Sequence, residues 1–149
     1  MQRMAAIESS VEIERKAEDV FTYATDPSRF REWQRGVVSG SSEGTPRVGS
    51  KCIMTRRIGG AERTSTSEIT DYDPPRHWAI HGIDGPVRAD VNVWVDAVEP
   101  GQRSRVTIAL EFHGHGLGKL LGLIVTNQAR KEVPASCQKL KQQLEGTAP

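Results

Sequence analysis

At 149 residues, 36% of them hydrophobic and 26% charged, the chain is long enough to bury one sizeable core. Its 20 basic and 19 acidic residues leave a formal charge of +1, which excludes a global field favouring nucleic acid or an anionic membrane. Cys52 and Cys137 have no motif spacing and read as small buried apolar residues, neither a disulfide nor a nucleophile. The opening MQRMAAIESS lacks the apolar run of a secretory signal, so a cytoplasmic location is expected.

In chain order, Ala6 to Glu14 alternates, with Ile7, Ser9, Val11 and Ile13 on one face and Glu8, Ser10, Glu12 and Glu14 on the other. That is a half-buried strand. Ala17, Val20, Phe21 and Ala24 then share one side of a short helix, with Glu18 and Asp19 suited to its N-terminus and Lys16 a poor cap. Asp26-Pro27 opens a second short helix through Phe30 to Trp33, ended by Gly36. Beyond it the pattern is strand and turn. Strands are expected at Gly36 to Ser42, Lys51 to Ile58, Glu62 to Tyr72, His77 to His81, Val87 to Val98 and Arg105 to His113. Gly59-Gly60 is a hairpin signal, and DPPR, IDGP and EPGQRS are turns.

Alternation assigns the faces. Val87, Ala89, Val91, Val93 and Val95 oppose Arg88, Asp90, Asn92, Trp94 and Asp96, while Val106, Ile108, Leu110 and Phe112 oppose Thr107, Ala109, Glu111 and His113. Trp78 and Ile80 lie opposite His77, Ala79 and His81. The sheet therefore has one apolar and one wet face.

The apolar face needs a cover, and the last stretch supplies it. Read as a helix from Leu117 to Leu144, this stretch is about 42 Å long. Its stripe is Val125, Ala129, Val133, Cys137, Leu140 and Leu144, with Arg130, Lys131, Lys139, Lys141 and Glu145 mostly off it as an ordinary solvated face. Gly146 stands where a left-handed cap is wanted, and Pro134 predicts a kink near Arg130. The first two turns, with Leu117, Leu120, Leu121, Leu123, Ile124 and Val125, are apolar over roughly 200°. They need covering on more than one side, yet Lys119 and Asn127 interrupt the run too soon for a bilayer span. These elements make an α+β chain of about seven antiparallel strands holding one long helix, read as a single domain over residues 1–149.

Motifs for chemistry are sparse. The histidine clusters, His77 with His81 and His113 with His115, have no acidic partner at ligand spacing and read as surface and loop residues, so no metal is expected. Phosphate-binding, dinucleotide and nucleophile-elbow motifs are missing, and no cofactor is expected. For acid or base work the available types are Tyr23, Asp26, Arg56 and Tyr72, with Asp26 better explained as a helix cap and Tyr72 as packing.

The words VEIERKAEDVFTYATDPSRFREW, RVGSK, SEITDYDPPRHWAI and KLKQQLEG, in that order and spacing, resemble the START-related helix-grip superfamily, the SRPBCC group. Within it the chain looks most like the polyketide cyclase/dehydrase-type bacterial members. The resemblance implies a curved antiparallel sheet wrapped around the long helix, with a cavity between them for an apolar ligand or, in a minority of members, a substrate. Fold alone does not name a reaction. Three readings follow: binding of a small hydrophobic, lipid- or polyketide-like molecule; a cyclase or dehydratase acting on such a molecule; and a protein-interaction module. Expected partners are thus a small hydrophobic molecule and, through the over-apolar helix start, a second copy of the chain as a homodimer. Neither nucleic acid nor stable membrane insertion is expected.

The expected cavity residues are Trp33, Met54, Arg56, Arg63, Ser65, Ser67, Ile69, Trp78, Val91, Val93, Ile108, Leu110, Leu121, Ile124 and Val125. Hairpin arithmetic singles out two of them. A two-residue Gly59-Gly60 turn pairs Ile58 with Ala61, Arg57 with Glu62, Arg56 with Arg63, Met54 with Ser65 and Cys52 with Ser67. Two arginines directly opposite repel unless an anion joins them, so Arg56 and Arg63 are candidates to grip a ligand's acidic head. The plainer account is a hairpin tip beyond the cavity rim, screened by water and salt.

Overall fold

Short turns between long strands can join only antiparallel neighbours, and the structure is built that way. The computed structural model describes residues 7–98, 101–114, 116 and 119–146. Among them the strands are β1 (Ile7–Ile13), β2 (Val37–Ser42), β3 (Lys51–Ile58), β4 (Ala61–Asp73), β5 (His77–Asp84), β6 (Val87–Val98) and β7 (Arg103–Gly114). They form one antiparallel sheet in the order β1-β7-β6-β5-β4-β3-β2. The sheet curls into a half-barrel around the long C-terminal helix, which is the helix-grip arrangement.

The β3–β4 hairpin has the expected register: Ile58 pairs with Ala61, Arg57 with Glu62, Arg56 with Arg63, Met54 with Ser65 and Cys52 with Ser67. Gly59 and Gly60 have φ of 62° and 81°, the left-handed pair that a two-residue turn matching strand twist requires. On the wet face Arg57 donates to Glu62 at 3.3 Å. β4 and β5 run further than their patterns suggested, and β5 continues to Asp84. Irregularities at Thr66/Ser67 and Ile69/Asp71 keep the two strands paired across that length.

Between β1 and β2 lie α1 (Ala17–Ala24) and a short 3-10 helix (Pro27–Glu32). Lys16 makes no side-chain cap for α1, whereas Asp26 accepts from the Ser28 N–H at 3.0 Å and the Ser28 hydroxyl at 2.7 Å, fixing the start of the 3-10 turn. Phe30 from that turn meets Trp33 and Trp78 edge-on, with ring centroids 5.7 and 5.9 Å away. The turn thereby closes one end of the half-barrel.

The long helix, α2 (Lys119–Gly146), places Val125, Ala129, Val133, Cys137, Leu140 and Leu144 against the sheet, all buried. It continues through Pro134, which sits on the exposed side. The expected helix start at Leu117 lies outside the described residues. Gly146 corrects a second expectation, for it is the last helical residue and has no positive φ. Contacts of the preceding residue hold that turn helical: Glu145 accepts from the Lys141 ammonium at 2.8 Å and from the Glu14 N–H at 2.9 Å. No helix among the described residues is long and apolar enough to cross a membrane.

The outer face is polar as alternation required. His77 stacks on Trp94 at 5.2 Å and bonds Asp71 and Asn92 at 2.6 and 2.8 Å. Asp90 lies between His81 and His113, at 2.5 and 3.2 Å. These histidines tie strands together, and no group able to hold a metal ion occurs among the described residues. His115 lies outside them. Both cysteines are buried free thiols, and burial pushes Cys52 up to about 11 and raises Cys137.

Candidate ligand cavity

The half-barrel and α2 do not meet everywhere. A cavity of about 90 Å³ remains between the inner faces of β3 to β7, the 3-10 turn and the middle of α2. Its walls include Phe30, Trp33, Met54, Trp78, Ile80, Val91, Val93, Ile108, Leu110, Phe112, Val125, Ala129 and Val133. Period-2 alternation brings each strand residue there, and the α2 stripe brings the helical ones. Ser65 and Ser67 add hydroxyls from β4.

Of the expected residues, Trp33, Met54, Arg56, Ser65, Ser67, Trp78, Val91, Val93, Ile108, Leu110 and Val125 line this cavity. Four others are placed elsewhere. Ile69 is core, packed in the main cluster at 2% exposure. Leu121 packs against a separate small cluster of Ile58, Val87 and Val125. Ile124, one residue before the stripe, is 40% exposed and turned from the sheet. Arg63 is half-buried outside the cavity lining, and its buried Nε has no hydrogen-bond partner. Arg56 and Arg63 are thus paired in the sheet, but only Arg56 lines the cavity.

Apart from Arg56, Ser65 and Ser67, the polar side of the cavity comes from residues that pattern reading did not single out. Gln34 and Arg35 reach it from the loop after the 3-10 turn, and Gln128, Glu132 and Ser136 from α2. Arg56 is its centre. The guanidinium donates to Gln34 Oε1 at 3.2 Å and lies 6.0 Å from the Phe112 ring centroid. Burial pushes its pKa down to about 10, partly offset by the charge of Glu132. Glu132 itself accepts from Gln128 Nε2 at 3.3 Å. Helical spacing from Gln128 to Glu132 to Ser136 carried a signal, since four-residue steps put all three on one face.

The other acid/base types do not reach the cavity lining. Tyr23 donates to Glu32 at 2.9 Å, and burial together with that carboxylate pushes it up to about 12. Asp26 is the cap already described, and Tyr72 packs on Phe21 with ring centroids 5.9 Å apart.

An apolar cavity gripped by a long C-terminal helix agrees with what sequence comparison finds. Residues 4–145 match the family model described as polyketide cyclase / dehydrase and lipid transport. The chain belongs to this family. Solved structures agree in fold. TTHA0849 from Thermus thermophilus superposes with a TM-score of 0.75 at 15% identity, over 97% of this chain and 99% of that one. The Zhui aromatase/cyclase from Streptomyces sp. R1128 gives 0.74 at 14% identity, over 96% and 94%. A START superfamily protein from Mycobacterium smegmatis gives 0.70 at 9% identity, over 97% and 100%. At such identities the likeness is one of fold. No curated protein matches the sequence.

Proposed function

We propose that this polyketide cyclase/dehydrase-family chain, read as one ligand-binding domain, takes a small hydrophobic molecule into the cavity, and that Arg56 engages an acidic or carbonyl oxygen of it. Arg56 carries the reading. A guanidinium at the polar side of a mainly apolar cavity, with Gln34 as its one hydrogen-bond partner among the described residues, has donors left for a ligand oxygen. Ligand pockets typically measure about 300–1,000 Å³. At about 90 Å³, the cavity admits a polyketide- or acyl-sized ligand only as its walls separate.

The test uses the neutral dye N-phenyl-1-naphthylamine, displaced by octanoate or by octanol. Wild type is expected to favour octanoate by about tenfold, and Arg56→Gln to lose that preference while still binding the dye, since one charge-assisted hydrogen bond is worth roughly 1.5–3 kcal/mol. Equal preference in wild type and variant would sink the role of Arg56.

A second reading rests on Glu132 lining the same cavity as Arg56. In a cyclase- or dehydratase-type reaction the guanidinium would draw charge onto a carbonyl oxygen while the carboxylate moved a proton. Aldol closure of a small aromatic diketone, followed by absorbance, tests it: turnover must vanish in Glu132→Gln with dye binding intact. The exposed Leu120, Leu123 and Ile124 support self-association as a homodimer, which light scattering measures. The near-zero net charge supports a partner other than nucleic acid.

A further inference from the structure

Beside the cavity lies a groove of about 550 Å³ between the end of the 3-10 turn and α2. Trp33, Gln34, Arg35, Gln128, Glu132 and Ser136 line both spaces, so the groove is continuous with the cavity on its polar side. Its two walls both carry cations: Arg31 and Arg35 on the turn and the loop after it, Lys131 and Lys139 on the helix. No side chain of the four has an ion pair or hydrogen bond with a described residue.

Two carboxylates, Glu32 and Glu132, also line the groove, so the four cations exceed them and leave a net positive charge, and neither carboxylate is in an ion pair with one of the four. Glu32 accepts from the Tyr23 hydroxyl at 2.9 Å and lies 3.9 Å from Arg29, which is outside the groove, while Glu132 accepts from Gln128 at 3.3 Å. Lys141 of α2 differs, since it is held at 2.8 Å by both Glu145 and the Glu12 carbonyl. A second observation comes from a residue that lines both cavity and groove. Trp33 is 4% exposed, and its indole N–H has no hydrogen-bond partner. A buried donor left without an acceptor is costly, and an oxygen-rich ligand supplies one.

We propose that this basic groove, at the junction of turn and helix, holds a phosphate-type oxyanion of an amphiphilic ligand whose apolar part enters the cavity. The proposal rests on the cavity-binding reading and specifies its ligand class: the acidic head does not end at Arg56 but continues outward as a phosphate or polyphosphate. Dianionic oxygens suit this groove because cations approach from two walls, and phosphate offers acceptors in several directions at once.

Displacement of N-phenyl-1-naphthylamine by octyl phosphate, octanoate and octanol tests it. Wild type is expected to bind octyl phosphate about tenfold more tightly than octanoate at low salt, with the margin shrinking as salt screens the exposed cations. The Lys131→Gln/Lys139→Gln double variant should erase that margin and leave octanol displacement as in wild type. A Lys16→Gln/Lys51→Gln control, altering net charge equally elsewhere, should keep the margin. Equal affinity for phosphate and carboxylate, or equal loss in the control, overturns the groove assignment while the cavity reading stands. Failure of dye and octanol to bind at all overturns the cavity reading, and this proposal with it.

Discussion

The two ends of α2 are built from similar residues and do different work. From Cys137 onward the helix is seated and tied. Cys137, Leu140 and Leu144 are buried, and its far end is cross-linked to the rest of the chain by polar contacts. Arg15 donates to the Leu144 carbonyl at 2.7 Å, Lys141 to the Glu12 carbonyl at 2.8 Å and Gln143 to the Glu32 carbonyl at 3.0 Å. From Val125 to Ser136 the helix instead roofs a cavity, and in the turns before it Leu120, Leu123 and Ile124 are exposed. The difference teaches that an apolar stripe is one feature in sequence but two in energy. Where the sheet closes on the stripe it stabilises the fold, and where the sheet stands off it the same residues become a binding wall.

The largest expected effect breaks the seated end. Leu140→Ala removes a fully buried side chain and should cost about 2–5 kcal/mol in urea unfolding, with or without ligand. A loss below about 1 kcal/mol would mean that this end is not core. Ala129→Trp should do the converse, filling the cavity and weakening dye binding by well over tenfold, at a stability cost of about 1–3 kcal/mol from overpacking. Unchanged dye affinity would place the binding site elsewhere.

Glu145→Gln sharpens the comparison at smaller scale. Hydrogen bonds from Lys141 and from the Glu14 N–H hold the Glu145 carboxyl below its ordinary value of 4.5, so ionised Glu145 stabilises the folded state. Because the folded value is the lower one, the wild-type advantage is full above the ordinary value. It is lost as pH falls through the lowered one. Melting curves across that range should therefore converge at acid pH; an advantage that persists there would show that the contact acts without its charge. Leu123→Gln, on the exposed face early in the helix, should stay within about 0.5 kcal/mol of wild type in urea unfolding at concentrations dilute enough to keep the chain monomeric. A larger loss would reveal a covered face. Smallest of all, neither zinc nor chelator should move the melting temperature, and a drop of several degrees would overturn the surface reading of the histidines.

Period and turn chemistry made most of the fold legible in the amino-acid sequence. A strand's side chains alternate by covalent geometry, and a Gly-Gly turn sets pairing one residue at a time, so the facing of Val93, Ile108 and Trp78 and the whole β3–β4 register followed from local rules. The α2 stripe followed for the same reason. What the chain did not disclose locally was distance across the half-barrel. Whether Ile69 meets a neighbour or a void, and whether Leu121 faces ligand or a second small cluster, depends on how far the curled sheet stands from the helix. The polar end of the cavity was hidden for a like reason. Gln34, Arg56 and Glu132 are far apart in sequence and converge only when the 3-10 turn folds back beside α2. The same convergence turned Lys131 and Lys139, an ordinary solvated pair on an isolated helix, into one wall of a groove opposite Arg31 and Arg35. Charge sign and periodicity are written in a segment. The separation of two segments, on which burial and electrostatic coupling both depend, is set only by the packing of the whole chain.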